Sequence, residues 1–295
     1  MGKRKDRTES DEMSFLDHLE ELRWHLVRAI LAIVILAIVA FVFKNIVFDH
    51  IIIAPSRPEF FTNKMLCAFG KFLGIERLCI NAEQLNLFNI KMSGQFSAHI
   101  MVSLIGGFIV AFPYVFWEIW QFLVPALYSS EKKYARGSVF FSSLLFMLGV
   151  LFGYYIIVPL SVHFLGSYQV SENVPNQINL VSYMSTVASI VLACGVIFEL
   201  PILVFFLTKA GLVTPEFLRK YRRHSLVVIL LLSAIITPPD IFSQILVAFP
   251  LIGLYELGIT ISRRIVRKQD EEEISIDEEA SDYEGNNDVE EEEID

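Results

Sequence analysis

Glu20 and Glu21, in the stretch His18-Leu-Glu-Glu-Leu-Arg23, stand just ahead of a long apolar run that begins at Trp24. Segments flanking the cytosolic side of a membrane span favour Lys and Arg, and acidic residues there do little for topology. Carboxylates held at a membrane surface therefore suit a cationic ligand. A second reading also fits the stretch. Phe15, Leu19, Leu22 and Leu26 recur at helical spacing on one face, with Asp17, Glu20, Glu21 and Trp24 largely on another. Ser14 with Asp17 three residues on resembles an N-terminal capping pattern. That describes an amphipathic helix at the membrane surface whose charges are merely solvated. On these residues alone both readings stand.

A second carboxylate comes later in the chain. Trp117-Glu-Ile-Trp-Gln-Phe-Leu-Val-Pro-Ala-Leu-Tyr128 leads to Glu131, which opens a basic segment with Lys132, Lys133 and Arg136. The aromatic residues are ordinary interface anchors at a span exit. Phe122 and Pro125-Ala-Leu-Tyr128 are less ordinary, and they put Glu131 on the same side as Glu21. Glu118 and Glu256 lie near span ends and are expected to snorkel to water.

Positioning such groups calls for a membrane scaffold. The chain has 295 residues, 54% of them hydrophobic, and a mean hydropathy of +0.52, too apolar for a soluble globule of average composition. About 20 mostly apolar residues make a helical span. The sequence predicts an all-α, six-span membrane protein with spans near 24–47, 96–119, 138–159, 183–207, 225–236 and 241–261. The last two are short. They are separated by Thr237-Pro-Pro-Asp240, whose prolines force a turn. If the N-terminus is cytosolic, 18 basic residues fall in cytosolic segments and six (Lys44, Arg57, Lys64, Lys71, Arg77 and Lys91) opposite. The positive-inside rule then places both termini in the cytosol. Three domains are expected: an amphipathic N-terminal segment (1–23), the membrane domain (24–262) and an acidic tail (263–295). Positions 270 to 295 carry 15 acidic residues and no Lys or Arg, which reads as self-repelling and disordered.

Three cysteines exclude a disulfide-rich scaffold, and no Cys/His spacing suggests a metal, so no cofactor is expected. Cys67 and Cys79 lie in the long first external segment, where they form a disulfide or remain two free thiols. Cys194 reads as a small buried hydrophobe. Glu199 interrupts an apolar stretch, where a carboxylate at the helix centre costs about 2.5–3.5 kcal/mol. It is either a hydrogen-bonded joint between helices or a polar contact in a protein-lined cavity. Pro201 should kink the helix there. Asp240 and Gln244 flank the start of the sixth span, with Asp240 a candidate helix cap. A proton-coupled secondary transporter using Glu199 is the alternative function, although no internal repeat supports it. No HExxH motif, nucleophile elbow or metal cluster supports an enzyme.

His18-Leu-Glu-Glu-Leu-Arg23, Trp120-Gln-Phe-Leu-Val-Pro-Ala-Leu-Tyr128 with Glu131, Phe198-Glu-Leu-Pro201 and Thr237-Pro-Pro-Asp-Ile-Phe-Ser-Gln244 together resemble the signature blocks of the TatC family, the polytopic receptor subunit of twin-arginine protein translocases. The blocks occur in family order over about residues 13 to 262. The resemblance implies a receptor without an enzymatic reaction of its own, in a bacterial or archaeal cytoplasmic (inner) membrane. Its partners would be twin-arginine signal peptides of folded cargo, TatA-type and TatB-type single-span subunits, and lipid, not nucleic acid. It would work in an oligomeric receptor complex driven by the proton-motive force. By the same resemblance Glu21 and Glu131 hold the paired arginines, and Arg23, Phe122, Pro125, Leu127 and Tyr128 share that patch. Glu199 would face the concave side, and Asp240 and Gln244 the partner subunits. The acidic tail and the Cys67/Cys79 insertion lie outside the common pattern.

Overall fold

A computed structural model describes residues 15–74, 79–81, 85–123, 135–171, 173, 176–237 and 241–292. Within these, side chains are described except at 15–19, 123, 135–136, 241–242, 270 and 272–292. The described chain is almost wholly helical: α1 (Phe15–Val42), α2 (Phe61–Leu73), α3 (Gly94–Leu123), α4 (Ala135–Phe152), α5 (Val158–Ser167), α6 (Leu180–Ile197), α7 (Leu200–Lys209), α8 (Pro215–Lys220), α9 (Arg222–Ile236) and α10 (Ile241–Glu292). Two strands of two residues each, β1 (Leu87–Phe88) and β2 (Ile178–Asn179), pair in parallel. The chain divides into two units, one of residues 1–54, 86–144 and 177–188, the other of 55–85, 145–176 and 189–295.

In the first unit α1 packs along α3. His25 meets Glu118, Ala37 meets Gly107 and Phe41 stacks on His99, so one number falls as the other rises and the two helices run antiparallel. Gly107 makes this closeness possible. A Cβ there would lie 2.5 Å from the Ala37 nitrogen and 2.7 Å from its Cα. Small residues let membrane helices approach closely enough to gain van der Waals contact that lipid cannot supply. Ala29, Ala111 and Val115 continue the same seam, flanked by Ile33 and Leu36. At the start of α6, Asn179 caps the helix: its Oδ1 accepts the N–H groups of Val181 (2.9 Å) and Ser182 (3.3 Å).

In the second unit, the contact of α4 with α6 again depends on glycine. A Cβ on Gly149 would sit 2.5 Å from the Cys194 carbonyl oxygen, and one on Gly195 2.8 Å from the Phe146 ring. Cys194 is buried in that contact. Here the span expected at 138–159 runs on to Ser167. A π-helical turn at Gly153–Ile157 joins α4 to α5, and Pro159 falls in the first turn of α5, where a proline is tolerated. The fourth span is interrupted at Phe198–Glu199, ahead of Pro201 in the first turn of α7. Around α10, Thr208 donates to Ser262 (2.9 Å), Tyr255 to the Leu218 carbonyl (2.8 Å), and Arg222 pairs with Glu256 (2.6 Å). In the same unit the structure joins Cys67 to Cys79, stapling the body of α2 to the turn at Asn81. The Asn81 amide donates to Asn63 and to the Pro159 carbonyl.

Among the described residues, five helical stretches are long and apolar enough to cross a membrane: Glu20–Val42, Gly94–Phe122, Gly137–Ser167, Leu180–Lys209 and Ser243–Gln269. The sixth apolar helix, α9, has 15 residues and is about 22 Å long at 1.5 Å per residue. Of the last two expected spans only α9 is therefore short. α10 runs past Ile261, with Pro250 inside it.

The expected domain boundaries at residues 23 and 263 fall inside helices. No break occurs at residue 23, since α1 carries the amphipathic segment into the span as one helix. None occurs at 263 either: α10 runs from Ile241 to Glu292. The physical reason is propagation. A helix already nucleated by a span extends without a new nucleation cost, glutamate is a good helix former, and Arg267 pairs with Glu271 at 2.7 Å across one turn.

Candidate functional site

α1 holds Glu21 one turn before His25, at the point where the helix begins its apolar stretch. Glu21 is half-buried, and Glu20 and Arg23 are exposed. Trp24 is exposed too. The antiparallel register continues to this end of the pair. Glu21 lies one turn before His25 and Phe122 one turn after Glu118, so the two stand at the same level. The half-buried Phe122 is the last of the expected arginine-site residues on α3 whose side chain is described. Pro125, Leu127, Tyr128 and Glu131 lie outside the described residues.

Between Glu21 and α3 sits a cluster that local sequence pattern did not disclose. Glu118, expected to snorkel, is only 2% exposed. His25 Nδ1 lies 2.5 Å from its Oε2, Tyr114 donates its hydroxyl to Oε1 at 2.6 Å, and the Arg28 guanidinium stands 3.6 Å from Oε2. A carboxylate can be buried at this depth because these donors replace water. His25 is itself buried at 8% exposure, and its other nitrogen, Nε2, lies 3.9 Å from Glu21 Oε1. The imidazole therefore stands between the two carboxylates. One clue was present in the sequence: His25 and Arg28 fall one turn apart in one apolar run, and Tyr114 and Glu118 one turn apart in another. Their partnership spans 93 residues and needs the antiparallel register to be seen.

The aromatic residues before the α3 exit do not all behave as interface anchors. Trp120 is buried and ring-stacked on Phe116, which is stacked on Phe112, making a ladder along α3 at one-turn spacing.

The other expected residues belong to the second unit. Glu199 is half-buried at the helix break, at the N-cap of α7. Gln244 donates to the Leu230 carbonyl at 3.1 Å, tying α10 to α9 across the Thr237 turn. Asp240 lies outside the described residues. Cys67 and Cys79 are bonded to each other.

Comparison with known proteins gives a consistent result. The model of the family described as Sec-independent protein translocase protein (TatC) matches residues 17–250. The Sec-independent protein translocase protein TatC of Blattabacterium sp. subsp. Periplaneta americana (strain BPLAN) is 38% identical over 265 residues, 89% of this chain and 100% of the relative. That of Aquifex aeolicus (strain VF5) is 34% identical over 262 residues, 88% of this chain and 98% of the relative. A crystal structure of a twin-arginine translocase receptor, TatC, in DDM superposes with a TM-score of 0.65 at 33% identity, covering 83% of this chain and 99% of that one.

Proposed function

The chain belongs to the TatC family of Sec-independent protein translocase proteins, and from that premise we propose that it is the membrane receptor that reads twin-arginine signal peptides on folded cargo. As a family member it is a multi-pass membrane component of a protein translocase. The observation that carries the finer reading is Glu21. Its half-buried carboxylate heads the first span, level with Phe122, where α3 leads into the segment that bears Glu131. Two carboxylates there meet two adjacent guanidiniums. A hydrogen bond to a charged group in a shielded pocket is worth about 1.5–3 kcal/mol, against about 0–1 for an exposed ion pair. Pro125, Leu127, Tyr128 and Arg23 complete the patch in this reading.

The site faces the cytosol, with both termini, by the distribution of Lys and Arg. The Cys67–Cys79 bond supports the same orientation, because disulfides persist outside the reducing cytosol. The membrane is the bacterial or archaeal cytoplasmic membrane. α9 acts as a sixth span shorter than the roughly 30 Å hydrocarbon core, so the bilayer thins beside it. The neighbouring Asp240 and Gln244 offer a surface for TatA-type and TatB-type single-span subunits. The proton-motive force drives cargo across an oligomeric complex in which Glu199 lines a protein-faced cavity. The alternative, a proton-coupled transporter built on Glu199, is not favoured by family membership across residues 17–250.

The test is complementation. In cells lacking their own family member, this chain with its cognate single-span subunits should restore export of a folded reporter carrying a twin-arginine signal peptide. Export of a twin-lysine reporter should stay at background. Failure with every cognate subunit present, with the chain accumulating in the membrane, would contradict the proposal.

A further inference from the structure

We propose that His25 is a second arm of the arginine site, turned towards Glu21 by the buried Glu118 carboxylate. The inference rests on Glu21 as the docking point for a signal-peptide arginine. Glu118 is 2% exposed and accepts at both oxygens, from Tyr114 at 2.6 Å and from His25 Nδ1 at 2.5 Å. A carboxylate has lone pairs to offer, so the proton in the second contact belongs to Nδ1. A carboxylate on one ring nitrogen fixes both the tautomer and the ring orientation. With Nδ1–H committed, Nε2 accepts in the neutral form of the ring, the form that an incoming guanidinium selects. It points to Glu21, and at 3.9 Å the two atoms are too far apart to bond each other. Glu21 Oε1 and His25 Nε2 are then two acceptors side by side.

That pairing suits one ligand chemistry. A guanidinium presents five N–H donors in a rigid planar fork and can serve both acceptors at once. An ammonium is a point charge whose three donors diverge, so it engages the carboxylate and gains little from the imidazole. His25 is thus a specificity-determining contact for arginine over lysine, and Glu118 a positioning residue that acts through it. Arg28, 3.6 Å from Glu118, offsets the charge of that buried carboxylate. The other charged residue near the imidazole on α1 is Glu21, and among the described residues α3 contributes Tyr114 and Glu118. The cluster lies little more than one helical turn inside the ends of the Glu20–Val42 and Gly94–Phe122 spans, within reach of a ligand at headgroup level.

The experiment is saturation photo-crosslinking of a twin-arginine signal peptide and its twin-lysine counterpart to the full chain in membranes, comparing wild type with His25→Gln and His25→Leu. In wild type the twin-arginine peptide should half-saturate at a concentration at least about tenfold lower, the factor set by one charge-assisted hydrogen bond. His25→Leu should weaken the twin-arginine peptide by about that factor and leave the twin-lysine peptide unchanged, collapsing the ratio. His25→Gln, whose carbonyl can still accept, should recover part of it. Equal weakening of both peptides, or an unaltered ratio, would overturn the inference and make His25 structural. If wild type itself does not discriminate, the arginine-site reading fails instead. If His25→Leu does not accumulate, the 15N resonance of the His25 Nε2 in wild type decides. It should shift with the twin-arginine peptide and not with the twin-lysine one, and no shift would overturn the proposal.

Discussion

Glu21→Lys should abolish export of a twin-arginine reporter, and Glu131→Lys should do the same, while each glutamine substitution leaves measurable transport. The order follows from charge. Glutamine keeps the shape and one acceptor but loses the charge assistance, about 1.5–3 kcal/mol, or roughly a 10- to 150-fold weakening of binding. Lysine loses that and adds repulsion between like charges where two guanidiniums must dock. At position 131 the effect is compounded by Lys132, Lys133 and Arg136 in the same segment. Export rates in whole cells, normalised to the amount of chain in the membrane, give the comparison. Glutamine more damaging than lysine at either position would mean that the carboxylate does not read charge.

The second large effect is expected from packing. Gly107→Leu should strip the chain of export and sharply reduce its accumulation, whereas Gly106→Ala next to it should be neutral. A Cβ at 107 meets Ala37 backbone at 2.5 and 2.7 Å, so α1 would have to leave α3; at 106 nothing lies within 4 Å. Overpacking a tight contact costs about 1–3 kcal/mol, occasionally more, and backbone cannot yield as a side chain can. Separating the helices would also pull His25 from Glu118 and shift Glu21 away from Phe122. Membrane-fraction immunoblots with export assays distinguish the two variants. The adjacent glycine controls for any gain in helix propensity. Equal behaviour would show that the α1–α3 approach does not position the site.

The sequence disclosed what is local. α9 ends at Ile236, where the pattern placed its end, and Thr214-Pro-Glu, a helix-start pattern, opens α8 with Thr214 Oγ1 accepting the Phe217 N–H. Apolar runs located five spans by composition alone. What was hidden depends on other parts of the chain. Glu118 looked like a span-end residue free to reach water because its donors His25 and Arg28 sit on a different helix. Nothing local marks Gly107 or Gly149, because the atoms that crowd them belong to other helices. The length of α10 was not expected, because the 15 acidic residues at positions 270 to 295 read as self-repelling. β1 and β2, two residues each, carry no periodicity to detect. Of the proposed arginine site, Glu21, Arg23 and Phe122 stand in motifs that the sequence shows. The imidazole beside Glu21 was not, because His25 belongs to the apolar run that looked like uniform lipid-facing helix.

The central claim is that carboxylates at the head of the first span and after α3 recognise paired arginines. The most direct measurement is site-resolved photo-crosslinking of a twin-arginine signal peptide, with the probe beside the arginine pair, to the intact chain in membranes. The account predicts label concentrated around Glu21 and in the segment bearing Glu131, falling sharply when the peptide carries paired lysines. Equal labelling by both peptides, or label concentrated elsewhere on the chain, would contradict it.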